Sequence, residues 1–345
     1  MNINDYVERY DPQNQFNVLK ETYKQVESAW NNRVDLEKLK TKKFRNIILS
    51  GLGGSAISGD LMQNFLKDEL NVPFFVNRNY SLPAFADKDT LLIISSYSGN
   101  TEETVSVFEE GISKKCRIVC ISTGGKVEEI AKKKKIPLIK MKPGLQPRYA
   151  LGLSFFSLLR VFRELGLIPD QNAEVEKIMN LWKIKGEEYS KEDNIALNCA
   201  EQLIGFIPVI YSATDITSAA GYRFKCQLNE NSKLHAFHNV IPELNHNEII
   251  GWESFQDKQF NAKIINILDE SYHPQVKKRF EITTELAVKE RLEYLNIESE
   301  EEDFKVRLMD LIYLFDWITY YTAVLREYDP SEIDNIHTLK ERLSL

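Results

Sequence analysis

The chain has 345 residues, and at roughly 150 residues per domain this allows about two domains, each large enough for its own core. Hydrophobic residues make up 43% and charged residues 28%, a globular balance that excludes a disordered chain, a collagen-like chain and a coiled-coil rod. The 44 basic and 51 acidic residues leave a net charge of −7, the wrong sign for a domain that holds nucleic acid by neutralising phosphates, while a locally positive site for a small anionic metabolite stays open.

The opening forty residues predict helix, with Phe16, Leu19, Tyr23, Val26 and Trp30 at helical spacing. Met1 to Gln15 is polar rather than signal-like, and no apolar run approaches the ~18 residues of a membrane span, so the expectation is a cytoplasmic protein with no membrane partner. At Asn46 the rhythm changes. Asn46 to Ser50 is a short β-branched run, followed by Gly51-Leu52-Gly53-Gly54-Ser55 and a helical pattern through Leu66. Val72 to Val76, Leu91 to Ser95, Arg117 to Ser122 and Pro137 to Lys140 predict further strands, with helices over Glu102 to Lys114 and Lys126 to Lys135. Such alternation is the signature of an α/β domain, a parallel sheet covered by helices. The four cysteines form no C-x-x-C pair, and Cys116 and Cys120, four apart in a strand pattern, read as buried, reduced thiols.

Pro143-Gly144 and Pro147 interrupt the pattern, and a long helix from near Tyr149 is expected to link two halves. The rhythm then returns, with strands predicted at Phe206 to Ser212 and Ala262 to Leu268 and helices at Ile216 to Leu228 and Val276 to Arg291. The second half thus reads as a degenerate repeat of the first. The expected domains are residues 1–152, an N-terminal helix and the first α/β domain, and residues 153–345, the linking helix, the second domain and C-terminal helices. Glu300 to Asp303 reads as a solvated loop. Phe304 to Leu325 is long and apolar, but Lys305, Arg307, Asp310 and Asp316 argue for a buried core helix rather than a membrane span.

Gly51-x-Gly53-x-x-Ala56 follows a strand and opens a helix, which fits the dinucleotide fingerprint. The same backbone and helix dipole would serve any phosphate. Where a NAD enzyme places an acidic residue after the second strand, this chain has Asn77-Arg78-Asn79, which weakens the nicotinamide reading while Arg78 keeps an NADP-dependent oxidoreductase open. A second loop, from Ser95 through Ser96-Tyr97-Ser98-Gly99-Asn100-Thr101 to Thr104, presents several hydroxyls that a dinucleotide site does not need. Ser or Thr ahead of Glu is also ordinary helix capping. Two such loops in one small sheet favour a phosphate cradle.

Gly53-Gly54-Ser55 together with Ser96-Tyr97-Ser98-Gly99-Asn100-Thr101 resembles the sugar isomerase (SIS) domain. The whole chain further resembles the bifunctional phosphoglucose/phosphomannose isomerases, through Pro143 to Gly152, Asn229-Glu230-Asn231-Ser232-Lys233, Pro242 to Asn247, and Asp329-Pro330 ahead of Leu339-Lys340. That resemblance implies two flavodoxin-like αβα-sandwich SIS subdomains with parallel sheets. It also implies an aldose–ketose isomerase that interconverts fructose 6-phosphate with glucose 6-phosphate and mannose 6-phosphate through a cis-enediolate, with no metal and no cofactor, in a homodimer with shared active sites. It assigns the substrate phosphate to Gly54, Ser55, Ser96, Ser98 and Thr101, with Gly53 and Ser331 also at the substrate. By the same resemblance Glu230 is the base between C1 and C2, His246 opens the ring from the neighbouring subunit, Arg148 faces the enediolate, and Lys340 polarises an oxygen or helps ring opening.

These residue types suit the chemistry. A carboxylate can take and return one proton, imidazole titrates near neutrality, and guanidinium keeps its charge. Without the resemblance, Glu230 reads as a solvated helix-end glutamate and Lys340 as an exposed helix lysine. Relatives commonly have Thr where Ser331 follows Pro330, which leaves the handling of the second sugar open. A zinc reading of His235, His238 and His246 is weak, because no cysteine and no H-E-x-x-H context accompanies them. A non-catalytic phosphosugar-binding regulator is the main rival, and it would need an output module such as a basic helix-turn-helix, which the N-terminal helix does not continue into. An amidotransferase is excluded because residue 2 is Asn2 rather than a cysteine nucleophile.

Overall fold

A computed structural model describes residues 2–32, 35–257 and 261–343 of the chain. It divides into two compact units, Thr22–Asn180 and a second composed of Met1–Glu21 with Leu181–Leu345. The division therefore does not fall at residue 152. Helix Leu151–Glu164 packs on helices Tyr23–Asn31 and Gly54–Phe65 of the first unit. The N-terminal segment belongs with the second, where Tyr320 donates to the Asp11 carboxylate at 3.0 Å and Tyr313 to the Leu19 carbonyl at 2.7 Å.

The first unit holds a five-stranded parallel sheet, β1 (Asn46–Ser50), β2 (Phe74–Asn77), β3 (Thr90–Ser96), β4 (Arg117–Ser122) and β5 (Leu138–Lys140), in the order β2-β1-β3-β4-β5. Every residue of β1 and β3 is buried, as expected when helices cover both faces, and this is why those strands read as unbroken apolar runs. Ile48, Leu92, Ile94, Val107 and Phe108 form one core with Cys116 and Cys120. Burial pushes the Cys116 thiol up to about 11 and raises that of Cys120 as well, so both stay protonated and inert. The chain passes from β1 to one neighbour, β2, and then to the other, β3. This reversal makes the loops after β1 and β3 a topological switch point, where ligands of open α/β sheets bind.

The second unit repeats the plan with β6 (Ile207–Ala213), β7 (Phe237–Ile241), β8 (Ala262–Ile267) and β9 (Glu293–Ile297), all parallel, in the order β7-β6-β8-β9. β7 and β9 are absent from the sequence reading. Both are edge strands, with Phe237 51% and Tyr294 45% exposed, and their mixed polar sequences carry neither an apolar run nor a clean alternation.

Two helix expectations need correction. The long linking helix is a 3-10 turn Pro147–Tyr149 and separate helices Leu151–Glu164, Asn172–Tyr189 and Ile195–Glu201, the first ending ahead of Gly166 at φ +68. The opening helix is four shorter ones, Ile3–Tyr10, Gln15–Lys20, Tyr23–Asn31 and Glu37–Lys40. Asp11 breaks it, its carboxylate accepting the backbone N–H groups of Gln15 and Phe16, both at 2.8 Å. Helix Phe304–Leu325 is long and apolar enough to cross a bilayer, yet it is buried from Lys305 to Val324. Two of its charges are matched there, Arg307 pairing with Asp269 at 2.9 Å and Asp316 with Arg223, while Asp310 accepts the Ser299 hydroxyl at 2.7 Å and burial raises its pKa.

Candidate active site

In the first unit, three chain segments meet at the C-terminal end of the sheet. β1 runs into the glycine turn, and helix Gly54–Phe65 starts from Gly53 with no side chain capping it. Its positive dipole end is thus left to an anion. A β-carbon on Gly54 would stand 2.7 Å from the carbonyl oxygen of Pro147, so glycine is what lets the turn carrying Arg148 lie against this helix start.

The loop after β3 is built by its own hydroxyls. Ser96 Oγ accepts the Gly99 N–H at 3.1 Å and shares a hydrogen bond with Thr101 Oγ1 at 2.9 Å. Thr101 stands at the N-cap of helix Glu102–Ser113, but its side chain does not cap the helix. Capping alone therefore does not account for this hydroxyl. Gly99 has φ +73, and a β-carbon there would come within 1.8 Å of the Gly124 carbonyl oxygen, so no other residue fits between this loop and the one after β4. Ser98 is exposed at the tip, its hydroxyl accepting the Asn100 N–H at 3.3 Å.

Tyr97 joins the three segments. Its N–H donates to Ser55 Oγ at 3.1 Å, its hydroxyl donates to the Lys142 carbonyl and accepts the Leu145 N–H, both at 3.0 Å, and its carbonyl accepts the Thr123 hydroxyl at 2.6 Å. Arg148 is only 7% exposed. Its Nη1 donates to Gln146 Oε1 at 3.3 Å and its guanidinium carbon lies 5.4 Å from the centre of the Tyr149 ring. Gly53, Gly54, Ser55, Ser96, Ser98, Thr101 and Arg148 thus share one end of one sheet. Ser55 and Ser96 are buried scaffold, whereas Gly53 and Ser98 are exposed and Thr101 half-buried. The sequence places Tyr97 within the hydroxyl loop but gives it no role, and it does not single out Thr123, although Thr123-Gly124-Gly125 after β4 echoes the glycine turn after β1. Arg78, the residue that kept NADP open, forms an ion pair with Asp60 instead.

In the second unit, Glu230 is the last residue of helix Ser218–Glu230 and is half-buried. Arg223, Gln227 and Asn231 recur at i, i+4 and i+8 and meet helix Phe304–Leu325 along one seam. Arg223 and Gln227 donate to Asp316, and Asn231 Nδ2 donates to Thr319 Oγ1 at 3.0 Å. Ser232 Oγ adds a bond to the Thr319 carbonyl at 2.7 Å. Lys233, at φ +49, reaches the carbonyls of Asn231 and Asp329, and the Asp329 carboxylate accepts the Ser331 N–H at 2.7 Å. Glu230 and Ser331 are therefore tied to one turn.

His246 lies elsewhere. The register pairs Ala213 of β6 with Ile241 of β7 and Val209 with Phe237. Helix Ser218–Glu230 leaves from the C-terminal end of β6 and returns to the start of β7, while His246 follows β7 in the turn Glu243–His246, exposed. Neighbouring Asn245 anchors that turn by donating to Thr283 Oγ1 at 2.8 Å. Lys340 is exposed on the terminal helix Asp334–Leu343. The histidines of the zinc reading go separate ways. His238 Nε2 is 2.8 Å from Ser212 Oγ, with its pKa drawn down to about 4 by burial and then by the Lys225 charge, and His235 packs edge-on against Phe237. Among the described residues, no three His, Cys, Asp or Glu side chains gather in a cation-binding group.

Comparison with known proteins covers nearly all of this architecture. The family described as bacterial phospho-glucose isomerase C-terminal SIS domain matches residues 192–343. The chain is 39% identical over 311 residues to the bifunctional phosphoglucose/phosphomannose isomerase of Caldicellulosiruptor bescii, covering 89% of this chain and 91% of that one. It is 35% identical over 334 residues to the protein of the same description from Aquifex aeolicus, covering 94% and 99%. A crystal structure of a hypothetical protein from Thermus thermophilus superposes with a TM-score of 0.75 over 99% of this chain and 92% of that one, at 13% identity, a likeness of fold.

Proposed function

The chain belongs to the bifunctional phosphoglucose/phosphomannose isomerase family, and we propose that it interconverts fructose 6-phosphate with both glucose 6-phosphate and mannose 6-phosphate through one cis-enediolate. The observation that carries this reading is the convergence of the glycine turn, the hydroxyl loop and the Arg148 turn at the switch point of the first sheet. Backbone and hydroxyl donors at a helix start suit a dianionic phosphate. In this proposal Gly54, Ser55, Ser96, Ser98 and Thr101 hold the phosphate, with Gly53 beside it.

Glu230 removes the proton from C2 of an aldose or C1 of fructose 6-phosphate and returns it to the other carbon. A positioned carboxylate typically contributes ~10²- to 10⁴-fold. Arg148 faces the enediolate oxygens, where a fixed charge stabilises the transition state more than the ground state. His246 moves the proton between ring oxygen and anomeric hydroxyl during ring opening, and Lys340 assists at an oxygen. The two aldoses differ only at C2, which is planar in the enediolate, so the epimer formed depends on the face turned to Glu230. Ser331 offers the hydroxyl that steadies the turned sugar. Substrate and product are isomers, so the route needs no external oxidant, and we assign it neither metal nor cofactor.

We further propose a cytoplasmic homodimer in which His246 serves the neighbouring subunit's site. What supports sharing is the placement of Glu230 and His246 toward opposite ends of the second sheet. Product analysis from fructose 6-phosphate tests the reading.

A further inference from the structure

The turn after Glu230 is fastened more heavily than a helix end requires. A solvent-facing C-terminus needs a cap for its last carbonyls and nothing beyond it. Here Asn231, Ser232 and Lys233, three successive residues, all reach outward to the segment 319–329. Two of these bonds end on Thr319, inside helix Phe304–Leu325, and the third ends past that helix, on the carbonyl of Asp329. Arg326 closes the loop from the other side, its Nε donating to the Ser232 carbonyl at 3.1 Å. Asp329 in turn accepts the Ser331 N–H at 2.7 Å, and Ser331 is buried.

The Lys233 side chain is what a helix cap does not explain. The backbone of Lys233, at φ +49, closes the helix in the left-handed conformation common past helix ends, with the Leu234 N–H donating to the Leu228 carbonyl at 3.0 Å. Its ammonium donates to two main-chain carbonyls, those of Asn231 and Asp329. One side chain thereby bridges the residue next to Glu230 and the residue two before Ser331. Such a strut fixes distance and direction between two short segments that are separated by about a hundred residues of chain.

We propose that Lys233 is a positioning residue that sets Glu230 against the Asp329–Ser331 segment, and so governs which face of the sugar meets the base. This rests on the isomerase reading above. The proposed phosphate cradle belongs to residues 53–101 and does not involve Lys233, so the charged share of substrate affinity lies outside the strut, whereas proton transfer is sensitive to misplacement on the scale of 1 Å.

The test is Lys233→Met, which keeps the stem and removes the three donors, assayed with fructose 6-phosphate beside wild type after the urea midpoint confirms folding. We expect kcat to fall by about 10²-fold with KM within about twofold, and the ratio of glucose 6-phosphate to mannose 6-phosphate formed initially to shift. A merely structural lysine would leave that ratio alone. If Lys233→Met does not fold, Lys233→Gln, which retains one donor group, is read by the same two measures. An unchanged kcat and product ratio in a folded variant overturns this inference alone. A wild-type chain that isomerises nothing overturns the isomerase reading and this inference with it.

Discussion

Glu230 and His246 are sixteen residues apart in sequence and stand toward opposite ends of the second sheet, one at the close of helix Ser218–Glu230 and the other beyond β7. The thirteen-residue helix alone spans about 20 Å, well beyond hydrogen-bond reach of a single sugar. If both act on one sugar, His246 has to come from a second chain. Glu230→Gln should lose at least about 10²-fold in turnover while still binding phosphosugar, because the amide keeps the shape without the basicity. His246→Ala should be similarly impaired. Mixing the two inactive proteins at equal amounts and allowing subunit exchange should restore about a quarter of wild-type activity, since half the dimers are mixed and each has one intact site. No recovery despite verified exchange would show that each chain is self-sufficient.

The hydroxyl loop predicts an affinity effect of a different kind. Ser98 and Thr101 are its two least buried hydroxyl groups, and Thr101 leaves its helix uncapped. Ser98→Ala with Thr101→Ala should raise KM for fructose 6-phosphate by about 10- to 100-fold, from two lost bonds to a charged group. Stability should fall by about 1–2 kcal/mol, from the lost Ser96–Thr101 hydroxyl bond and the weaker Asn100 N–H bond to Ser98, with no helix cap removed. Paired urea melts and initial rates decide it, and an unchanged KM would make the loop a structural element.

His238 predicts acid sensitivity. Burial, with Lys225 adding to it, holds its folded pKa down at about 4 against an ordinary value near 6.5. Below pH 6.5 the unfolded chain takes up a proton that the folded chain refuses, so stability present above that pH is lost as pH falls toward 4. Between pH 7.5 and pH 5 this costs about 1–2 kcal/mol. His238→Gln, which can still bond Ser212, should show a smaller loss by that amount in urea titrations at the two pH values. Equal losses in both proteins would place the acid sensitivity elsewhere.

How far the sequence discloses this molecule follows from burial. β1 and β3 are readable because both faces are covered and, after Asn46, every position is apolar or carries a small hydroxyl, and the loops behind them then fall at strand ends by necessity. β7 and β9 are hidden because an edge strand is half wet, and Phe237-His238-Asn239 has no period to detect. The seam that holds Glu230 is hidden for another reason. Lys233 and Asp329 are 96 residues apart, and nothing local marks one as the partner of the other. Tyr97 sits among serines as any loop tyrosine might, and only the folded positions of Lys142 and Leu145 give its hydroxyl a task. The roles proposed for Glu230 and His246 come from the family pattern, but their separation emerges only with the strand register.

One epimer-blind enediolate in a metal-free site is the central claim, and product analysis addresses it most directly. Fructose 6-phosphate is incubated in deuterium oxide with protein that has been exhaustively treated with chelator, and the products are resolved by NMR. The account predicts glucose 6-phosphate and mannose 6-phosphate together, with deuterium at C2 only in the fraction of turnovers in which the Glu230 carboxyl exchanges its proton with solvent before returning it, at rates unchanged by the chelator. Glucose 6-phosphate alone would leave a monofunctional isomerase, and loss of all turnover with the metal would contradict the mechanism.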